Sequence, residues 1–193
     1  MSHHFAVMAG RAQELVNELH PYCEQIYIAG SIRRRAAEPS DIELVAVPRF
    51  TSEQAPDLFG QQTVRVDCLQ RYVRDRLAGT WKGRPDKNGK TAVGGSKFYR
   101  LEDEAGYALD LFSVIAPAQL GVILAIRTGP AEFSKRLVTH RRKGGLLPEW
   151  LTVRAGALWA DHGDGGPVLV PTPTEESFFA AIEMVLPRPE GRR

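Results

Sequence analysis

Three carboxylates stand out by their setting. Asp41 and Glu43 are separated by one residue at the start of a β-favouring run, Ile42 to Val47. Side chains alternate between the two faces of a strand, so both acids project to the same side, where they can share one cation. Asp110 lies in a second β-favouring run, Tyr107 to Val114, between Leu109 and Leu111, which must point the other way into a core. An acid embedded among apolar neighbours demands a partner. Three convergent carboxylates are the hard oxygen donors suited to Mg²⁺, which keeps some waters and takes its other ligands from substrate phosphates. Two such ions about 3.5–4 Å apart stabilise both the attacking and the leaving oxygen of a phosphoryl transfer. The plainer alternative is a wet strand end for Asp41 and Glu43 and an arginine partner for Asp110.

A second group of residues precedes the first acid pair. Gly30-Ser31-Ile32-Arg33-Arg34-Arg35 falls where a short β-run, Ile26 to Ala29, ends and a short helix can begin. Backbone N–H groups at such a turn, a hydroxyl and guanidinium forks together cradle a triphosphate, and glycine permits close backbone approach. Three consecutive arginines are commonly no more than a solvated turn. Here they stand shortly ahead of a strand bearing two acids, so a phosphate grip is followed by a metal grip.

The elements that must position these residues follow from periodicity. Met8, Ala12, Leu15, Val16 and Leu19 repeat at helical spacing and stop before Pro21. Thr51 to Val64 has mixed polarity with Pro56 and Gly60 and reads as a loop, after which Val66, Leu69, Val73 and Leu77 resume the helical stripe. Gly79 to Gly95 is rich in Gly, Lys and Arg and reads as a positively charged loop. Lys97 to Leu101 and Tyr107 to Val114 flank the turn Glu102 to Gly106 as a hairpin. From Pro117, Val122, Ala125 and Ile126 read as helix until Thr128-Gly129-Pro130; Phe133, Leu137 and Arg141 begin another. Short β-runs at Leu151 to Val153, Ala157 to Trp159 and Val168 to Val170 follow. Thr172-Pro173-Thr174-Glu175 fits a capping box ahead of Phe178, Ile182, Val185 and Leu186. The expectation is an α+β protein with a mixed β-sheet carrying helices on one side (1–116), followed by a small α+β unit (117–193).

Composition narrows the class. A chain of 193 residues with 43% hydrophobic and 25% charged residues can bury a core. A net charge of +2 does not by itself identify a nucleic-acid partner, because binding depends on where basic residues cluster. No apolar run approaches the roughly 20 residues of a membrane helix, and Met1 to Met8 lacks the features of a signal peptide, so a cytoplasmic protein with no membrane partner is expected. Cys23 and Cys68 lie far apart without a Cys-x-x-Cys pair and read as buried thiols. His3, His4, His140 and His162 do not recur at metal spacing near the acids and are assigned no role.

The motifs resemble one family. Gly30-Ser31-x-Arg33-Arg34 followed by Asp41-x-Glu43 is similar to the nucleotidyltransferase signature of family X DNA polymerases, Gly-Ser-x-Arg-Arg and then Gly-Asp-x-Asp. Tyr107-Ala108-Leu109-Asp110-Leu111 resembles the strand bearing that family's third catalytic Asp, and Gly121 to Gly129 resembles its helix ending in Tyr-Phe-Thr-Gly. Glu175 to Phe179, leading to Leu186-Pro187-Arg188-Pro189-Glu190, is similar to its closing thumb segment. The resemblance implies a nucleotidyltransferase palm followed by a thumb, acting as a monomer on a DNA primer-template or gapped duplex and on nucleoside triphosphates. It implies two Mg²⁺ ions, replaceable by Mn²⁺, with Asp41 and Glu43 holding both and Asp110 holding the ion beside the primer 3′-hydroxyl. Gly30, Ser31, Arg33 and Arg34 would bind the nucleotide phosphates, and Thr128 and Gly129 would shape the sugar pocket. Two positions depart from the pattern: Glu43 stands for an Asp, and Ile126-Arg127 for the Tyr-Phe pair at the nucleotide sugar.

The length leaves no room for the family's lyase or phosphoesterase modules, so neither activity is expected. DNA contacts are expected from the loop Lys82 to Lys97 and from Lys135, Arg136, Arg141, Arg142 and Lys143, with a merely solvated loop as the alternative for the first and a solvated helix face for the second. The expected activity is gap filling in DNA repair. Two rival readings stay open: transfer of a nucleotide to RNA, protein or a small molecule, and a DNA-binding module of the same fold that has lost its chemistry.

Overall fold

In the computed structural model, residues 4–57, 60–85, 97–161, 163 and 165–192 are described. Helix α1 (Phe5–Leu19) buries Met8, Ala12, Leu15 and Leu19 along one stripe and gives way to a short 3-10 turn containing Pro21. Strand β1 (Cys23–Ile28) is followed by a four-residue helix α2 (Gly30–Arg33) and by β2 (Ile42–Pro48). Helix α3 (Cys68–Asp75) is capped by the Asp67 carboxylate, which accepts from the Gln70 N–H at 2.8 Å. After β5 (Trp81–Gly83), β6 (Phe98–Asp103) and β7 (Ala108–Ser113) form the expected hairpin. These strands make one mixed sheet in the order β1-β2-β7-β6-β5, in which β2 and β7 are parallel and the other pairs antiparallel.

Alternation sorts each strand between two cores. Ile42, Leu44, Ala46, Leu109 and Leu111 face α1 and α3 in one apolar cluster. Val45, Val47 and Phe112 face the other way and pack with Leu120 and Leu124 of α4 (Leu120–Thr128). The helices of 1–116 thus lie on one face of the sheet, as expected, and α4 from the C-terminal segment covers the other. The helix that the sequence reading assigns to the C-terminal unit is shared, because its Val122 and Ala125 belong to the C-terminal core. That core also takes Phe133 and Leu137 of α5 (Ala131–Leu137), Leu151 and Leu158 from a three-stranded antiparallel meander, and Phe178, Phe179 and Ile182. The meander is β8 (Leu151–Arg154), β9 (Ala157–Asp161) and β10 (Pro167–Val170), in the order β10-β9-β8.

Two local expectations are corrected. Thr51 to Val64 is not a loop: β3 (Phe50–Asp57) and β4 (Gly60–Asp67) pair over eight positions, from Phe50 opposite Asp67 to Asp57 opposite Gly60. This ribbon is largely exposed, so it has no buried face to impose the alternation by which strands are recognised. Helix α6 (Glu175–Ala181) is capped by Thr174 rather than Thr172: the Thr174 hydroxyl accepts from the Ser177 N–H, and the Ser177 hydroxyl accepts from the Thr174 N–H, both at 3.1 Å. Thr172 is buried, and its hydroxyl donates to the Ala118 carbonyl at 3.1 Å. There α6 meets α4 so closely that a Cβ on Gly121 would fall on the carbonyls of Thr172 and Thr174. No helix among the described residues is long and apolar enough to cross a membrane, and Cys23 and Cys68 are free and buried.

Candidate active site

The parallel pairing of β2 with β7 sets Glu43 directly opposite Asp110, between the pairs Ile42/Leu109 and Leu44/Leu111. Because those flanking leucines and isoleucine point into the α1 and α3 core, Glu43 and Asp110 emerge together on the α4 face. Asp41 stands one alternation before Glu43, immediately ahead of β2, so all three acids meet at one end of two adjacent strands.

Their electrostatics reflect the crowding. Burial pushes the Glu43 carboxyl up to about 7, and the neighbouring Asp41 charge adds to it, with Arg127 and Arg34 working the other way. Burial, and then the Asp110 charge, also hold Asp41 above the usual carboxylate range. The arginines opposite are perturbed in the complementary sense: burial lowers Arg34 and Arg127, and the Glu43 charge offsets part of it in each. Asp110 is handled differently. Its side chain is 7% exposed, and both its oxygens are occupied by guanidiniums: Arg84 Nη2 donates to Oδ1 at 2.8 Å, Arg100 Nε to Oδ1 at 3.3 Å and Arg100 Nη2 to Oδ2 at 3.2 Å. Among the described residues, no three His, Cys, Asp or Glu side chains are gathered tightly enough to hold a metal ion as they stand.

The Gly30–Arg35 turn sits against the acids. Gly30 has φ +62°, and a Cβ built there would overlap the Glu43 carboxylate, so only glycine lets β1 turn into α2 over that side chain. Ser31 Oγ is buried and has no hydrogen-bond partner among the described residues. Arg34 donates to the Thr128 carbonyl at 2.8 Å and still borders a cleft of about 360 Å³, shared with Ser31, Asp41, Glu43, Arg127 and Gly129. Arg127 closes the cleft with its guanidinium 4.0 Å above the Phe112 ring and its buried Nε unpartnered among the described residues.

Arg33 and Thr128, both predicted at the nucleotide, take supporting positions outside the cleft lining. Arg33 donates to Thr128 Oγ1 at 2.7 Å and to Glu175 Oε2 at 2.8 Å; the other Glu175 oxygen accepts from Arg192 at 2.6 Å, a pair almost wholly removed from solvent. This chain of ion pairs ties the Gly30–Arg35 turn to the start of α6 and to the C-terminal tail.

The basic residues predicted to meet DNA divide into two kinds. Lys97, Lys135 and Arg136 are exposed. Arg141 is engaged by Glu183 and the Ile182 carbonyl, each at 2.8 Å, and Arg142 by Glu149 at 3.0 Å. Of the loop Lys82 to Lys97, residues 86–96 lie outside the described residues. A second, slightly larger cleft, about 410 Å³ and bordered by Tyr22, Arg49, Cys68, Arg71 and Tyr72, lies at the far end of β2. It is roughly 25 Å from the acids at 3.3 Å per strand residue, and Asp75 is the one acid in its lining, beside Arg49, Arg71 and Arg76.

Sequence reasoning missed Arg84, Arg100, Glu175 and Arg192. Only Arg100 left even a partial signal: counting along the expected hairpin sets it opposite Ala108, on the face of Asp110 but two residues short of it. By donor type, Asp41, Glu43 and Asp110 are the all-oxygen set that could hold Mg²⁺, provided Asp110 turned from its arginine partners toward the other two. Compared with known proteins, the chain matches no family model and no curated protein at a significant level.

Proposed function

We propose that this protein is a nucleotidyltransferase that extends a DNA primer, in the manner of the family X polymerases its motifs resemble, and that it fills gaps in duplex DNA. The observation that carries the reading is the parallel register Glu43 opposite Asp110, with Asp41 one alternation away and the Gly30–Arg34 turn against them. Asp41 and Glu43 would hold two Mg²⁺ ions between them, with Asp110 on the ion nearer the primer. When bound, those ions neutralise the charge that develops on the attacking and leaving oxygens. Ser31, with an unused hydroxyl, and Arg34, fixed by the Thr128 carbonyl, grip the β and γ phosphates. Arg33 positions that turn through Thr128 and Glu175. The primer 3′-hydroxyl passes its proton to the Asp110 carboxylate and its oxygen bonds to the α-phosphorus; the bond from that phosphorus to the α,β-bridging oxygen breaks, and pyrophosphate leaves with the electron pair. Positioning and charge stabilisation supply most of the rate in this kind of chemistry.

A second reading, a DNA-binding module without chemistry, is favoured by one observation: Asp110 already has two arginine partners. Primer extension on gapped DNA with Mg²⁺ and each nucleotide separates the two. Wild-type protein should add templated nucleotides, and Asp110→Asn should lose addition by at least about a hundredfold while keeping its affinity for the DNA. Equal turnover in Asp110→Asn refutes the site, and no addition by wild-type protein on any primer leaves the binding module.

A further inference from the structure

The arginines that hold Asp110 have a chemistry of their own. Arg100 lies on β6, an interior strand, in register opposite Asp110, and grips both carboxylate oxygens through contacts of 3.3 and 3.2 Å. Arg84 follows β5, the edge strand, and makes a single shorter contact of 2.8 Å. Its buried Nε has no partner among the described residues, which is costly for a guanidinium. Arg84 therefore holds Asp110 through one hydrogen bond with a buried donor unused, whereas Arg100 holds it through two. These three hydrogen bonds all go to Asp110; the two guanidinium charges also favour ionised Asp41, which stays above the usual carboxylate range all the same. A divalent cation bridging the cluster would also satisfy Asp41 and Glu43, which share the same end of the sheet.

We infer that Arg84 and Arg100 are positioning residues of the site, counter-ions of Asp110 that a divalent cation must displace, with Arg84 the one that lets go. The inference rests on the transfer reading above and adds to it a built-in check on metal binding: Asp110 joins its neighbouring acids only when Arg84 releases it. An arginine that merely stabilised the sheet would, on removal, weaken any site beside it. A competing counter-ion would, on removal, strengthen it.

The test is Mn²⁺ binding to the full chain, without nucleotide or DNA, read from the electron paramagnetic resonance signal of free Mn²⁺. Arg84→Gln should tighten Mn²⁺ about tenfold, the order set by one charge-assisted hydrogen bond removed from competition. Arg84→Lys, which keeps the charge and much of the packing but loses the fork, should tighten it about threefold. The gain must vanish in an Asp110→Asn background, since it acts through that carboxylate. Unchanged or weaker Mn²⁺ binding in folded Arg84→Lys and Arg84→Gln overturns the inference. So does a gain that persists when Arg84→Gln is combined with Asp110→Asn, which would be long-range charge only. Either result leaves the transfer reading standing if wild-type protein binds Mn²⁺. No Mn²⁺ binding by wild type or by any variant sinks both.

Discussion

Glu43 offers a direct measure of the crowding among the three acids. Its carboxyl is raised from 4.5 to about 7, first by burial and then by the Asp41 charge. A carboxyl whose folded value lies above its unfolded one binds its proton more tightly in the native state. Its contribution to stability is therefore fully present below the unfolded value and is lost as pH rises through the folded one. Between about pH 4.5 and pH 7 the metal-free protein should lose roughly 3 kcal/mol from this group, from ~2.5 pH units at 1.36 kcal/mol each. Glu43→Gln removes the titration and keeps the shape. The two proteins should be equally stable near pH 4.5, and the variant should be more stable at pH 8 by about 3 kcal/mol, or roughly 6–12 °C in Tm for a chain of this size. Urea unfolding in the presence of EDTA at pH 5, 6, 7 and 8 reads the difference directly. Saturating Mg²⁺ should close the gap at pH 8, because a ligand bound only by the native wild-type site stabilises it. Parallel curves for the two proteins across this range refute the claim that Glu43 is desolvated beside a second acid.

Three further perturbations probe the parts around it. Gly30→Ala places a Cβ at φ +62° on the Glu43 carboxylate, so it should cost about 2 kcal/mol in urea unfolding and weaken Mn²⁺ binding; a neutral result refutes the close approach. Glu175→Gln leaves the buried Arg192 guanidinium uncompensated and frees Arg33, so stability should fall by about 3–5 kcal/mol. In primer extension that variant should raise KM for the nucleotide more than it lowers kcat, and an unchanged KM contradicts the positioning role given to Arg33. Lys135→Glu with Arg136→Glu should weaken duplex binding in fluorescence anisotropy and reduce its salt slope by about one for each phosphate no longer neutralised, whereas an unchanged slope removes α5 from the interface.

The acids and the turn before them were legible because each depends on short-range rules. Alternation puts Asp41 and Glu43 on one face and turns Leu109 and Leu111 away from Asp110, and the structure keeps both. What depended on register was not legible. A hairpin turn spanning Glu102 to Gly106 sets Arg100 opposite Ala108, but β6 continues to Asp103 and pairs Glu102 with Ala108, which shifts Arg100 onto Asp110. The β3–β4 ribbon escaped because backbone pairing without a buried face leaves no periodic trace. The division of α4 between two cores escaped for the opposite reason: a helix apolar on several sides reads the same whichever core claims which side. Ion pairs spanning more than a hundred residues, such as Arg33 with Glu175, carry no local signature at all.

The site is thus specified by the core beneath it more than by its own interactions. A one-residue slip of β7 against β2 would send Asp110 into the α1 and α3 core and bring a leucine to the surface in its place, so the packing of Leu44, Leu109 and Leu111 enforces the register. Three mutually repelling carboxylates would not assemble unaided, and burial makes their repulsion worse. The sheet imposes their proximity at the level of the backbone, where Glu43 and Asp110 are partners whatever their rotamers. The choice left open is confined to side chains: Asp110 lies either against Arg84 and Arg100 or toward Asp41 and Glu43. A site built this way changes its charge partners by side-chain rotation while the fold that supports it stays as it is.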